Sequence, residues 1–266
     1  MRIGFIGAGV MAEAIISGII KSKTLPATDI MASDISNDRL NQLSNTYGIN
    51  VATNNKDLIG FASIIFVAVK PQDVETVGQG VAQEISVGQT IVSIAAGVKL
   101  SQLRDVFRTQ CVIRVMPNTP AQIQSGMSVW LCGEEVPEAH KDLVTKVLEG
   151  IGKQYLVHEE KYIDMATGLS ASGPAYVFMI IDALVDAGVL LGMTREMSKM
   201  LAVQMVKGTA ELIDSSDTHI KELSDRVVSP GGTTAAGLLE LESAGVPHAI
   251  MKAVEAAYAK ALELGK

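Results

Sequence analysis

The chain has 266 residues, of which 48% are hydrophobic and only 4% aromatic, and its formal net charge is -7 from 22 basic and 29 acidic side chains. An acidic balance with no Lys/Arg cluster argues against nucleic acid as a partner, and an anionic ligand has to be held by local donors because the global field repels it. Two cysteines outside any CxxC pair indicate a reducing compartment, and four scattered histidines without HExxH spacing argue against a metal site.

In chain order, Arg2–Ile6 reads as a strand, with no basic leader or long apolar stretch before it. A helix is predicted from about Val10 to Lys21, a strand over Ile30–Ser33, and helical spacing over Arg39–Tyr47. Continuous apolar runs at Ile64–Val69, Thr90–Ala95 and Cys111–Val115 have the pattern of parallel strands covered on both faces. Val129–Cys132 and Gln154–Val157 are expected as edge strands. Such alternation predicts right-handed crossovers and a doubly wound sheet. Near His158 the character changes, and from Tyr162 to Leu264 only helical patterns remain. Ser170–Pro174 reads as a helix start with Pro174 in the first turn. Gly192 reads as a stop, followed by an N-cap at Thr194. Further helices fit Arg195–Leu212, Thr234–Ser243 and Pro247–Leu264. The expected fold is therefore α/β: an N-terminal Rossmann doubly wound parallel sheet over residues 1–157, then an all-α domain over 158–266. The most apolar stretch, Ala171–Leu191, is interrupted by Asp182 and Asp186, carboxylates that are costly in a bilayer. A cytoplasmic protein with no membrane partner is expected, and so apolar a chain is expected to bury surface against another subunit.

Chemistry first shows in Gly7-Ala8-Gly9-Val10-Met11-Ala12, a G-x-G-x-x-A turn after the first strand. Gly7 suits the tight turn, Gly9 admits a pyrophosphate to the backbone, and Ala12 lets helix and strand pack closely. The helix start then offers free N–H groups and partial positive charge to phosphates. Asp34 ends the second strand, 22 positions after Ala12. There an acidic residue binds ribose hydroxyls and favours NADH, whereas Ser33, Ser36, Asn37 and Arg39 are able to hold the 2′-phosphate of NADPH. Both readings stand, beside the plainer one in which Ser36 caps a helix and Asn37 and Arg39 are solvated.

The loops that follow the later strands carry more specific information. They are Ala68-Val69-Lys70-Pro71, Ala95-Ala96-Gly97 and Met116-Pro-Asn118-Thr-Pro120. The helical half adds Gly168-Leu-Ser170-Ala-Ser172-Gly-Pro-Ala-Tyr176 and Ser229-Pro-Gly231-Gly232-Thr233-Thr234. Across essentially the whole chain this combination resembles the pyrroline-5-carboxylate reductases, and the Ser229–Thr234 segment is the family's signature. The resemblance implies reduction of L-1-pyrroline-5-carboxylate to L-proline with NADPH or NADH, and dimers joined through the helical domain that assemble further.

By that resemblance, the cofactor lies against Gly7, Ala8, Gly9, Val10, Met11, Asp34, Asn55, Ala68, Val69, Lys70, Pro71, Ala95, Ala96 and Asn118, with Arg226 at another position that reaches it. The substrate carboxylate is expected on the backbone of Gly231, Gly232, Thr233 and Thr234, at a helix start with two glycines. Glu160 matches a position close to the substrate, where a carboxylate stabilises a cationic ring nitrogen. Alternatively it is one of an exposed acidic pair with Glu159. Ser170, Ser172 and Tyr176 are candidates to order water or donate a proton, or else the serines cap a helix and Tyr176 packs. A protonated imine is already electrophilic, so no strong acid is required, and no histidine falls in any of these motifs.

Two rivals are weaker. Hydroxyacid dehydrogenases related to 6-phosphogluconate dehydrogenase need a lysine base in the helical domain, and Thr167–Leu191 holds neither lysine nor asparagine. A dinucleotide sensor that has lost catalysis is expected to erode its substrate clamp, and Ser229–Thr234 is intact. Action on larger cyclic imines stays open, since one methylene is worth only about 1–3 kcal/mol of discrimination.

Overall fold

The computed structural model describes residues 1–265. Eight strands form one sheet: β1 (Ile3–Ile6), β2 (Ile30–Ser33), β3 (Asn50–Ala52), β4 (Ile64–Val67), β5 (Thr90–Ser93), β6 (Val112–Met116), β7 (Gly126–Cys132) and β8 (Gly152–Leu156). Their order is β3-β2-β1-β4-β5-β6-β7-β8, and β1 to β6 run parallel. Strand order reverses between β1 and β4, which leaves a crevice beyond their carboxyl ends.

Side-chain alternation builds a core on each face. Ile3, Phe5, Ile64 and Phe66 face α1 (Val10–Lys21), α2 (Asn37–Tyr47) and α6 (Glu138–Glu149). Ile6, Ile65, Val67 and Ile91 face α3 (Asn55–Phe61), α4 (Val74–Val81), α5 (Leu100–Phe107) and α7 (Lys161–Ala166). Phe5 and Phe66 stack with ring centroids 5.0 Å apart. Burial on both faces is why these strands read as unbroken apolar runs.

Several expectations are corrected. Val129–Cys132 belongs to an interior strand: β7 lies between β6 and β8, antiparallel to β6 and parallel to β8. The sheet is therefore mixed at this end. Strand β3 and helix α3 were not expected; the Asn54 side chain accepts from Asp57 N at 2.9 Å and caps α3. The Ser170–Pro174 segment does not begin a helix from a loop. Helix α7 passes through a π turn, Thr167–Ala171, into α8 (Gly173–Leu190), with Ser172 N donating to Thr167 O at 3.0 Å. The serines bond backward rather than cap: Ser170 Oγ donates to Ala166 O at 3.1 Å and Ser172 Oγ to Thr167 O at 2.8 Å.

By compactness, one unit comprises Met1–Ser172 with the stretch from Ala256, and the other Gly173–Glu255. The sheet ends at Leu156, beside the expected boundary, yet the compact unit runs on through α7. Helix α7 is held to the sheet by buried Ile163 and by an ion pair from Arg114 on β6 to Asp164. The second unit holds α8, α9 (Arg195–Asp214), α10 (Ile220–Asp225), α11 (Thr233–Ser243) and the first half of α12 (Val246–Leu264). Thr194 caps α9 as expected, accepting from Met197 N at 3.2 Å. Gly188 of α8 lies against Ser198 of α9, so these two helices approach closely. Phe178, Met179, Met200, Leu239 and Met251 of this unit are exposed.

Candidate active site

Between the carboxyl ends of β1, β2 and β4 lies a cleft of about 1140 Å³, lined among others by Gly7, Gly9, Asp34, Asn55, Val69 and Lys70. Such a volume exceeds a small-ligand pocket of about 300–1,000 Å³ and suits a long, divided ligand. Gly7 has φ +95°, and a Cβ there would lie 2.6 Å from Ala68 O. The backbone of the first turn thus runs directly over the end of β4. Gly7→Ala is expected to cost about 1–2 kcal/mol for the backbone conformation alone. Relieving the clash moves the turn off the end of β4 and displaces the N–H groups that follow it, so dinucleotide affinity should also fall, by about tenfold or more in titration calorimetry.

Gly9 is the N-cap of α1, and no side chain caps the helix's first N–H groups. A Cβ added at Gly9 would meet nothing within 4 Å. Uncapped donors facing open space, beside the helix's partial positive charge, are what a pyrophosphate requires. The residues present therefore fit a dinucleotide. Val10 is exposed and Met11 partly buried at the start of α1, directly after the turn.

Hydrogen bonds fix the loop. Ala8 N donates to Asp34 Oδ2 at 2.7 Å, while Ser36 N donates to Asp34 Oδ1 at 2.9 Å. Arg39 Nε donates to Ala8 O at 2.6 Å, and its other nitrogens bond Gln42 and Glu13. Ser33 Oγ donates to Asn55 Oδ1 at 2.7 Å, tying the end of β2 to the start of α3. Pro71 opens a short 3-10 turn after Lys70.

Ala95, Ala96 and Asn118 sit farther along the strand ends and do not line this cleft. Ala95 is buried beyond β5. Asn118, after β6, acts as a brace: its Nδ2 donates to Ser170 O at 3.1 Å and its Oδ1 accepts from Met127 N at 2.8 Å. Glu160 belongs to an ionic cluster. Its Oε1 accepts from Arg114 Nη1 at 2.9 Å and Leu100 N at 2.8 Å, and Arg114 Nη2 reaches Asp164 Oδ1 at 2.6 Å. Arg114 is 0% exposed. Sequence reading passed over Arg114 and Asp164. The available signal was an arginine inside an apolar strand run, which must find partners.

In the second unit, Gly231 has φ +70° and Gly232 stands at the N-cap of α11 without a side-chain cap. Thr233 and Thr234 are thus the first two residues of a helix with unsatisfied N–H groups. Tyr176 Oη donates to Ala253 O at 3.5 Å within the same unit. Arg226 follows α10 and pairs with Glu222 at 2.8 Å.

Remaining candidates for chemistry are unsuited to it. His140 is buried with its Nδ1 2.8 Å from Thr90 Oγ1, and burial lowers its pKa. Among the described residues no group of His, Cys, Asp and Glu is placed to hold a metal. Burial pushes the Cys132 thiol up to about 11, and Cys111 is raised in the same direction, again chiefly by burial. Because the thiolate is the nucleophile, iodoacetamide should label Cys132 very slowly at pH 8, with a rate that climbs toward about pH 11. Mass spectrometry of timed reactions checks this, and a plateau near pH 9 would refute it.

Fold and strand-end cleft together define a nicotinamide-dependent oxidoreductase with a Rossmann domain and a helical second domain. Residues 160–264 match the family model for pyrroline-5-carboxylate reductase dimerisation, and residues 2–97 that for NADP oxidoreductase, coenzyme F420-dependent. A pyrroline-5-carboxylate reductase of Synechocystis is 38% identical over 266 residues, covering 100% of this chain and 99% of that one. The Plasmodium falciparum pyrroline carboxylate reductase, solved with NADP bound, superimposes with a TM-score of 0.91 at 32% identity, covering 100% of this chain and 98% of that one. For the Coxiella burnetii pyrroline-5-carboxylate reductase the TM-score is 0.92 at 31% identity, with the same coverage. The chain belongs to the pyrroline-5-carboxylate reductase family, and its helical domain is one of self-association.

Proposed function

We propose that the protein reduces L-1-pyrroline-5-carboxylate to L-proline with NADPH or NADH, the last step of proline biosynthesis. The observation that carries this reading is the uncapped α1 start at the strand-order reversal, in a chain that also keeps an uncapped glycine-rich start at α11. When bound, the reduced nicotinamide supplies a hydride to the imine carbon, and the protein's task is to orient the partners.

Residue roles follow from the donors. The N–H groups of Gly9, Val10 and Met11 hold the pyrophosphate, with Gly7 and Ala8 shaping the turn. Asp34, Asn55, Ala68, Val69, Lys70 and Pro71 surround the adenosine and ribose end, with Lys70 offsetting phosphate charge. Ala95, Ala96 and Asn118 support the nicotinamide end. Thr233 and Thr234, freed by Gly231 and Gly232, hold the substrate carboxylate through backbone N–H groups and hydroxyls. Ser170, Ser172 and Tyr176 order the imine nitrogen's surroundings. Both serine protons already point to backbone carbonyls, so these hydroxyls serve as acceptors for a substrate that arrives protonated. Glu160 acts at a distance by holding the segment that carries them, through Arg114.

The working protein is a homo-oligomer built on dimers, cytoplasmic, without nucleic-acid or membrane partners. The helical run Lys161–Leu190 is long and apolar enough to cross a membrane by composition alone. Against that use, Asp186 pairs with Arg195 at 2.5 Å, and dimer contact accounts for its apolar surface. To test the function, oxidation of NADPH and NADH is followed with and without the imine. Imine-dependent turnover supports the assignment, and none from folded protein that binds dinucleotide removes it in favour of a sensor.

A further inference from the structure

At the β2 end of the cleft, the lining residues are Ser33, Asp34, Ile35 and Asn37, and the one cation among all lining residues, Lys70, follows β4 instead. Arg39 is the cation that sequence position offers to a 2′-phosphate, but it does not line the cleft. Its side chain is only 20% exposed, held beneath the glycine turn by Ala8 O, Gln42 and Glu13. Glu13 projects from the first turn of α1 and is itself fixed by Tyr47, whose hydroxyl donates to Glu13 Oε1 at 3.1 Å. A guanidinium with a carboxylate, a carbonyl and an amide oxygen on three of its donors has little reason to swing out.

We propose that Glu13 is a specificity-determining residue: by holding Arg39 under the glycine turn it leaves a 2′-phosphate facing the Asp34 carboxylate, so the enzyme favours NADH over NADPH. Glu13 touches no cofactor and acts through Arg39. In charge terms, Asp34 and Glu13 outweigh Arg39, leaving this corner net negative, and a phosphate placed beside it is disfavoured. Asp34 keeps its oxygens on Ala8 N and Ser36 N, an arrangement that accepts ribose hydroxyls as further donors. The inference rests on the cleft being the dinucleotide site.

Binding of NAD⁺ and NADP⁺ to the full chain, without imine, is measured by calorimetry for the wild type, Glu13→Gln, Glu13→Gln with Arg39→Met, and Gly7→Ala. Wild type is expected to bind NAD⁺ at least about tenfold more tightly, as expected for one unfavourable charge contact. Glu13→Gln should tighten NADP⁺ about tenfold and leave NAD⁺ within about twofold, with the gain erased when Arg39 is also replaced and weakened by salt. Equal or tighter NADP⁺ binding by the wild type overturns the proposal without any variant. So does a Glu13→Gln protein in which both ligands change alike, since Glu13 would then only support the loop. Binding of both dinucleotides that is indifferent to Gly7→Ala removes the cleft assignment, and the inference with it.

Discussion

Arg114→Met is expected to lower the unfolding free energy by about 3–5 kcal/mol, measured by chemical denaturation. The arginine is fully buried in β6, and its charge is balanced by Asp164, 8% exposed, and Glu160, 29% exposed. Methionine matches the stem but leaves Asp164 as a buried carboxylate without its cation, and such an uncompensated charge is the costly part. Replacing Asp164 as well, as in Arg114→Met with Asp164→Leu, should recover part of the loss. No recovery would mean that packing, rather than the stranded charge, dominates. Because Glu160 also accepts from Leu100 N at the start of α5, the same cluster joins α5, β6 and α7. Loss of the arginine should therefore also loosen the π turn that carries Ser170 and ends at Ser172, raising KM for the imine in whatever protein stays folded.

Thr234→Glu is expected to lower kcat/KM for the imine by about 10²–10³-fold, because like charges brought together cost several kcal/mol. Stability should move the other way. Thr234 is the second residue of α11, where a carboxylate complements the helix dipole by about 0.3–1 kcal/mol. An intact or slightly raised melting temperature beside collapsed turnover would separate the substrate clamp from a folding effect. Unchanged kcat/KM would place the carboxylate elsewhere. Dinucleotide affinity, measured on the same protein, should stay as in the wild type, since Gly7 and Gly9 belong to the other unit.

Much of the architecture was legible because it rests on short-range rules. Helix α1 spans Val10–Lys21 as its apolar spacing demands, and β2 spans Ile30–Ser33. The glycine turn could be placed because a tight strand-to-helix turn leaves few residue choices. Misses fall where local preference is weak. Strand β3 has three residues, two of them exposed, and exists by pairing with β2. Helix α10 has six residues and follows a polar stretch. A continuous helix bearing a π turn resembles a helix start in one dimension, because Gly173-Pro174 breaks the i to i−4 ladder in either case.

By itself, then, the sequence determined the doubly wound α/β half, the helical half, the glycine turn between β1 and α1 and the family, all of which are written in contiguous residues. Only the tertiary structure decided which charged groups meet. Arg114 finds Glu160 and Asp164 at separations of 46 and 50 residues, and Arg39 finds Glu13 at 26. Those partners depend on strand order and on which helix covers which face. Periodicity carries no record of either, and the burial of a charge makes both decisive.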